Sequence, residues 1–188
     1  MKILHIIPAA WHYFDVIRDQ AFQMIEAESR LGLEVEAFTF QYSRPNERSQ
    51  QAIYIQAPSR TFAGHANLKQ VIESLDTFEV INVHCPFLGA VPDIIRWKRQ
   101  HPAKPIIVTY HGRLTTTDLF GVFISWYNAW YESKLFRAAE TIVALQPLSA
   151  RPKKAQVVDL TNSADALQLM PEVYLKALYS NFVNNHII

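Results

Sequence analysis

The sequence predicts an α/β fold, a Rossmann-like three-layer domain with a mostly parallel sheet. Two observations carry this. Apolar runs of strand length alternate with segments of helical period along most of the 188 residues, the pattern of a parallel sheet covered by helices on both faces. Within that alternation, residues 80–112 read as strand, helix, strand, and the two strands end on His84 and His111. Ligands of open parallel sheets bind outside the carboxyl ends of the strands. The two histidines therefore mark a candidate binding edge.

The elements follow in order. Ile3 to Pro8 is a continuous apolar run, as expected of a strand buried on both faces. Phe14, Ile17, Ala21, Ile25 and Glu28 recur at helical spacing, and only the last is polar. Leu31-Gly32 supplies the helix stop, with glycine as the left-handed cap. Val35 to Phe40 is a second strand, and the polar segment 41–52 is a surface loop. Ile53 to Ala57 is a short third strand, and Asn67 to Leu75 a helix.

Val80 to His84 and Ile106 to His111 form the next strands. Leu88, Val91 and Ile95 make an apolar stripe between them, and Pro92 fits the first turn of that helix. A long aromatic helix from about Asp118 to Ala138 leads to a strand at Thr141 to Leu145. The basic loop SARPKKAQ precedes a short strand, Val157 to Leu160, and a helix from Pro171 to about Asn185 closes the chain.

Composition narrows the function classes. Hydrophobic residues make up 49% and charged residues 19%, with four tryptophans and eleven phenylalanines, which fits a globular domain with a sizeable core. A formal net charge of +1 gives no argument for a nucleic-acid partner. The single cysteine, Cys85, excludes an internal disulfide, and a cytoplasmic setting is expected. The apolar start runs into His12, Asp15 and Arg18 without a cleavage region, so it reads as a buried strand rather than a signal peptide. The segment 119–131 is shorter than the roughly 20 apolar residues a membrane span needs.

The edge itself offers few motifs. The turn after the first strand, PAAWHYFD, has no glycine, against a dinucleotide-binding reading, and there is no P-loop. Gly89 and Gly112 fall just past the fourth and fifth strands, where small residues can admit a ligand or serve as ordinary turn glycines. His111 is the best polar candidate for chemistry, since an imidazole can bind a hydroxyl or act on a proton. A histidine bonded to a neighbouring group is the alternative. His84 lies beside Cys85, but no second cysteine or paired histidine makes a metal set, and no bound metal is expected. Cys85 reads as a small buried hydrophobe. Of the other histidines, only His12 is at this sheet edge. The aromatic helix combines Phe120, Phe123, Trp126, Tyr127, Trp130 and Tyr131 with Lys134 and Arg137, as interfacial helices do; core packing explains most of one of its stripes.

The segments MKILHIIP, FEVINVHCPFLGAVPDIIRW, PIIVTYHGRL and RAAETIVALQPLSA together resemble the N-terminal domain of family 4-like glycosyltransferases of the two-domain GT-B class. VVDLTNSADALQLMP resembles a degraded form of that family's interdomain linker, with Asn162, Asp165 and Pro171 in place and Ser163 where the family has glycine. The resemblance implies a family 4-like N-terminal domain over residues 1–166, followed by a linker and helix over 167–188, with the nucleotide-binding C-terminal domain outside these residues. It makes His111 the catalytic candidate lining the cleft. Substrate-binding candidates are His12, His84, Pro86, Phe87, Gly89, Gly112 and Arg113. The first loop departs from the family, with Ala9-Ala10-Trp11-His12 in place of Gly-Gly. Glu132 and Glu140 match the spacing of the family's Glu-x7-Glu motif by coincidence, since that motif belongs to the other domain.

The function implied is the acceptor-binding half of an enzyme that transfers a sugar from a nucleotide-sugar to a glycan or lipid acceptor. No cofactor is expected on this chain; the nucleotide-sugar is the donor substrate of the completed enzyme. The implied partners are a separate donor-domain protein, or a second copy through the exposed cleft face, and peripheral contact with the cytoplasmic face of a membrane. The alternative is a non-catalytic sugar-, lipid- or protein-binding module descended from such a domain.

Overall fold

Among the described residues, the alternation of apolar runs and helical periods folds into one six-stranded sheet. The computed structural model describes residues 1–8, 14–39, 72, 75–87, 91–114, 118–148, 152, 154–161 and 166–186. In chain order these form β1 (Lys2–Ile7), α1 (Asp15–Arg30), β2 (Glu34–Thr39), β3 (Val80–Cys85), α2 (Val91–Gln100), β4 (Ile106–Tyr110), α3 (Leu119–Ala138), β5 (Thr141–Ala144), β6 (Gln156–Asp159) and α4 (Ala166–His186). The strand order is β2-β1-β3-β4-β5-β6, and every pairing is parallel. The expected strand Ile53–Ala57 lies outside the described residues, as does all of the expected helix Asn67–Leu75 except Ile72 and Leu75.

Strand alternation sorts the core into two halves. Leu4, Ile6, Ile81, Val83, Val108 and Ile142 turn to one face. There they meet Val91, Ile94 and Trp97 of α2 and Leu135 and Phe136 of α3. Ile3, Val80, Ile107 and Val143 turn to the other face, against Met24 of α1 and Met170, Val173, Tyr174 and Ala177 of α4. β1, β3, β4 and β5 are buried along almost their whole length, whereas β6 at the edge is partly exposed. That explains why the inner strands read as unbroken apolar runs.

The helix signals act as expected at two ends. Gly32 has a φ of +83°, and its amide donates to Ser29 O at 3.0 Å while Leu33 N donates to Glu28 O at 3.1 Å, a left-handed helix stop. Asp118 caps α3 by accepting from Gly121 N at 2.6 Å. α4 departs from expectation, beginning at Ala166 rather than at Pro171 and carrying that proline inside the helix. Proline removes one backbone donor there; Met170 and Tyr174, both fully buried, hold the turn against the sheet. At the amino edge, Lys98 Nζ donates to Glu140, and Glu140 accepts from Ile106 N at 2.7 Å. This ties the end of α2 to the starts of β4 and β5.

Trp97 is 1% exposed, its indole N–H donating to Asp76 at 3.2 Å and its ring stacked on His101. Trp97→Ala is expected to lower stability in denaturant titration by about 3–5 kcal/mol through lost burial and an unfilled cavity.

Candidate functional site

The face of the sheet under α1 and α4 is apolar except for a row of polar side chains. His5 on β1, Asn82 and His84 on β3, and Thr109 on β4 are all fully buried, as is Glu28 on α1. Register brings them together, for His5 stands opposite Asn82 and His84 opposite Thr109. Buried polar groups are costly unless bonded, and here they bond to one another. His5 Nε2 lies 2.8 Å from Glu28 Oε2. His5 Nδ1 lies 2.9 Å from His84 Nε2, and His84 Nδ1 lies 2.8 Å from His111 Nε2. The row ends at the sheet edge, where His111 Nδ1 lies 2.7 Å from Gln20 Oε1.

A branch runs the other way. The Tyr174 hydroxyl donates to Glu28 Oε1 at 2.7 Å and accepts from Asn82 Nδ2 at 2.9 Å. Asn82 Oδ1 accepts from the Thr109 hydroxyl at 2.8 Å. Burial, reinforced by the neighbouring His111 and His5 rings, holds the His84 pKa well below its ordinary value. Burial pushes His111 down to about 4. Both rings are therefore neutral near pH 7.

On the opposite side of the same strand ends, a cleft of about 640 Å³ opens between the loops after β3 and β4, the outer face of α3 and the segment before β6. Pro86, Leu114 and Phe136 give it an apolar lining, and Arg113, Glu132 and Lys154 supply charge. Burial raises the Glu132 carboxyl while Arg113 opposes the rise. Burial also pushes the Tyr110 hydroxyl up to about 12, reinforced by Glu132 and Cys85 and countered by Arg113. Asn128 shapes the cleft wall, accepting from Phe87 N at 2.9 Å and donating to Ile124 O at 2.8 Å. That pair pins the loop after β3 to α3.

The sequence-derived candidates divide between these two places. Pro86, Gly112 and Arg113 line the cleft. His84 and His111 belong to the polar row instead, and Phe87 is fully buried, its backbone N–H donating to Asn128 on the cleft wall. His12 and Gly89 lie outside the described residues. Cys85 is buried, and burial pushes its thiol well up, as for a structural cysteine. Sequence reasoning missed His5, Gln20, Glu28, Asn82 and Tyr174 in the row, and Glu132 in the cleft. The available signal was polarity in the wrong place: His5 inside an apolar strand, and Glu28 on the apolar stripe of α1.

A parallel sheet covered on both faces, with a cleft at the carboxyl ends of β3 and β4, is a Rossmann-like arrangement. The sequence matches Glycosyltransferase Family 4 over residues 20–151, more than half of its length. The chain belongs to that family. A solved structure of an alpha-glucosyltransferase (AGT) in complex with UDP aligns over 85% of this chain and 43% of its own, at 8% identity and a TM-score of 0.52. Another, an alpha-glucosyltransferase with UDP and a 13-mer DNA containing a central A:G mismatch, covers 85% of this chain and 39% of its own, at 10% identity and a TM-score of 0.48. At such identities the first likeness is one of fold alone. The chain spans less than half the length of either structure. A comparison with curated proteins finds no match.

Gly112 turns the chain from the row into the cleft with a φ of +105°, and an added Cβ would lie 3.0 Å from Gln146 Cγ. Gly112→Ala is expected to cost about 1–2 kcal/mol for the left-handed conformation, read as a lower denaturation midpoint with an unchanged slope.

Proposed function

We propose that this chain is the acceptor-binding half of a family 4-like glycosyltransferase, completed by a domain that binds the nucleotide-sugar. The observation that carries this reading is the juxtaposition at one sheet edge of His111 with a cleft of acceptor size. Gly112 and Arg113 connect the two directly in the chain. Arg113 and Lys154 suit hydroxyl or anionic groups of an acceptor, Glu132 suits hydroxyls, and the Pro86–Phe136 lining suits an apolar portion.

The neighbouring face of α3 favours a lipid acceptor or a membrane surface as the setting. Leu119, Trp126 and Trp130 are 92%, 63% and 56% exposed. The two indoles stack, and Lys134 lies 4.8 Å over the Trp130 ring. Among the described residues no helix is long and apolar enough to cross a membrane, so this face would lie on a bilayer rather than span it. Co-sedimentation with anionic vesicles is the direct check. Binding by the chain, and its loss in Trp126→Ser/Trp130→Ser, are the expected results.

The purified chain should neither bind nor turn over a panel of nucleotide-sugars, UDP-sugars among them. Adding the donor-binding domain should produce transfer, and His111→Ala should then lower the rate by about 10²–10⁴-fold, the range of general acid–base catalysis. Donor turnover by the chain alone would overturn the reading. The non-catalytic alternative has one observation in its favour, that both nitrogens of His111 are already bonded within the chain. Full activity of His111→Ala in the completed enzyme would decide for it.

A further inference from the structure

The row of three histidines is linked in a single sense, each Nδ1 to the next Nε2, from His5 through His84 to His111. A neutral imidazole has one N–H and one lone pair. The row therefore has only two fully bonded neutral arrangements. With Glu28 ionised, His5 donates from Nε2 to the carboxylate. His5 Nδ1 must then accept from His84 Nε2–H, and His84 Nδ1 from His111 Nε2–H. His111 Nδ1 is left as an acceptor. With Glu28 protonated, every proton sits at the other nitrogen and His111 carries Nδ1–H.

The two arrangements differ by one proton, taken up at His111 and held on Glu28. We propose that Glu28, His5 and His84 form a proton relay that sets the protonation of His111 at the cleft edge.

The surroundings confine this transfer to the row. Asn82 accepts through Oδ1 from Thr109 and so presents its amide N–H to Tyr174. The Tyr174 hydroxyl proton is thereby committed to Glu28, and Tyr174 offers no second route. Asn82 also approaches Met24 Sδ at 4.0 Å, a neutral contact. Burial and the adjoining rings disfavour an imidazolium on His84, so a proton passes through rather than stopping there. At the outer end Gln20 is exposed. A half-turn of its amide offers Nδ1 either the oxygen or the NH₂ group, matching both arrangements.

The role in chemistry rests on the acceptor-half reading. An acceptor hydroxyl in the place of Gln20 gives its proton to His111 Nδ1. Each Nε2 proton moves to the next Nδ1, and the last lands on Glu28. The negative charge lost by Glu28 appears on the hydroxyl oxygen. That oxygen bonds to the anomeric carbon of the donor as the bond to the nucleotide phosphate breaks. His5, His84 and Glu28 act through His111 and are positioning residues.

Imidazole ¹⁵N NMR of the full chain tests the relay without any transferase assay. At neutral pH all three rings should carry Nε2–H. On acidification they should exchange together to Nδ1–H, with no imidazolium signal. In Glu28→Gln the amide oxygen stays with the Tyr174 hydroxyl and the NH₂ group donates to His5 Nε2, so the rings should hold Nδ1–H already at neutral pH and the exchange should vanish. Rings that titrate separately to imidazolium in the wild type, or a Glu28→Gln spectrum that follows the wild type, would overturn the relay. The wild-type measurement decides even if the variant does not fold. A coupled exchange without sugar transfer in any reconstituted complex refutes the acceptor reading alone.

Discussion

A carboxylate and two imidazoles are buried under α1 and α4, with a third imidazole at the edge, on a sheet face otherwise built largely of isoleucine and valine. Each would be destabilising there alone, because desolvation of a polar group without a partner costs more than a made hydrogen bond returns. The solution is a closed set of bonds in which every member answers another, from Thr109 through Asn82, Tyr174 and Glu28 to the histidines. Satisfying that set dictates the register of β1 against β3 and of β3 against β4. It also fixes which face of α1 turns inward. The apolar packing is tolerant of small shifts; the polar row is not.

The same strand ends carry two chemically distinct surfaces. On the α1 side the row is dense and bonded throughout. On the α3 side the cleft holds a guanidinium, a carboxylate and an ammonium group around an apolar lining. Gly112 is the hinge of this arrangement, since its left-handed turn carries the chain from His111 on one side to Arg113 on the other. This domain of Glycosyltransferase Family 4 thus places His111 next in the chain to Gly112, which lines the cleft.

The fold was legible because it rests on local signals. Largely apolar runs at residues 3–8, 80–84 and 106–110 suit a doubly covered sheet, and Leu31-Gly32 marks a helix end through backbone chemistry. The resemblance found the family from the same segments. The site was half legible. Gly112 follows from the rule that strand ends bind ligands, Pro86 and Arg113 from the family resemblance, and the cleft includes all three. His84 and His111 were correctly located at the strand ends, but their bonding was not foreseeable. It depends on Gln20, Glu28 and Tyr174, which reach the row through α1 and α4, and no spacing along the chain encodes those approaches. The start of α4 was misread because proline was taken as a boundary, whereas tertiary burial of Met170 and Tyr174 outweighs one missing donor.

The bond from Tyr174 to Glu28 joins residues 146 apart in the chain. Its consequence lies in the order of assembly. β1, α1 and β3 can collapse on apolar contacts as soon as they exist, yet the acid at the heart of that first layer then lacks its hydroxyl donor. So does Asn82 its acceptor. Non-local contacts of this kind raise the entropic cost of reaching the native state, and the helix that supplies the missing hydroxyl is the last element described. A nascent chain would therefore hold a polar defect inside its earliest core until α4 docks, making that docking the step that locks the domain.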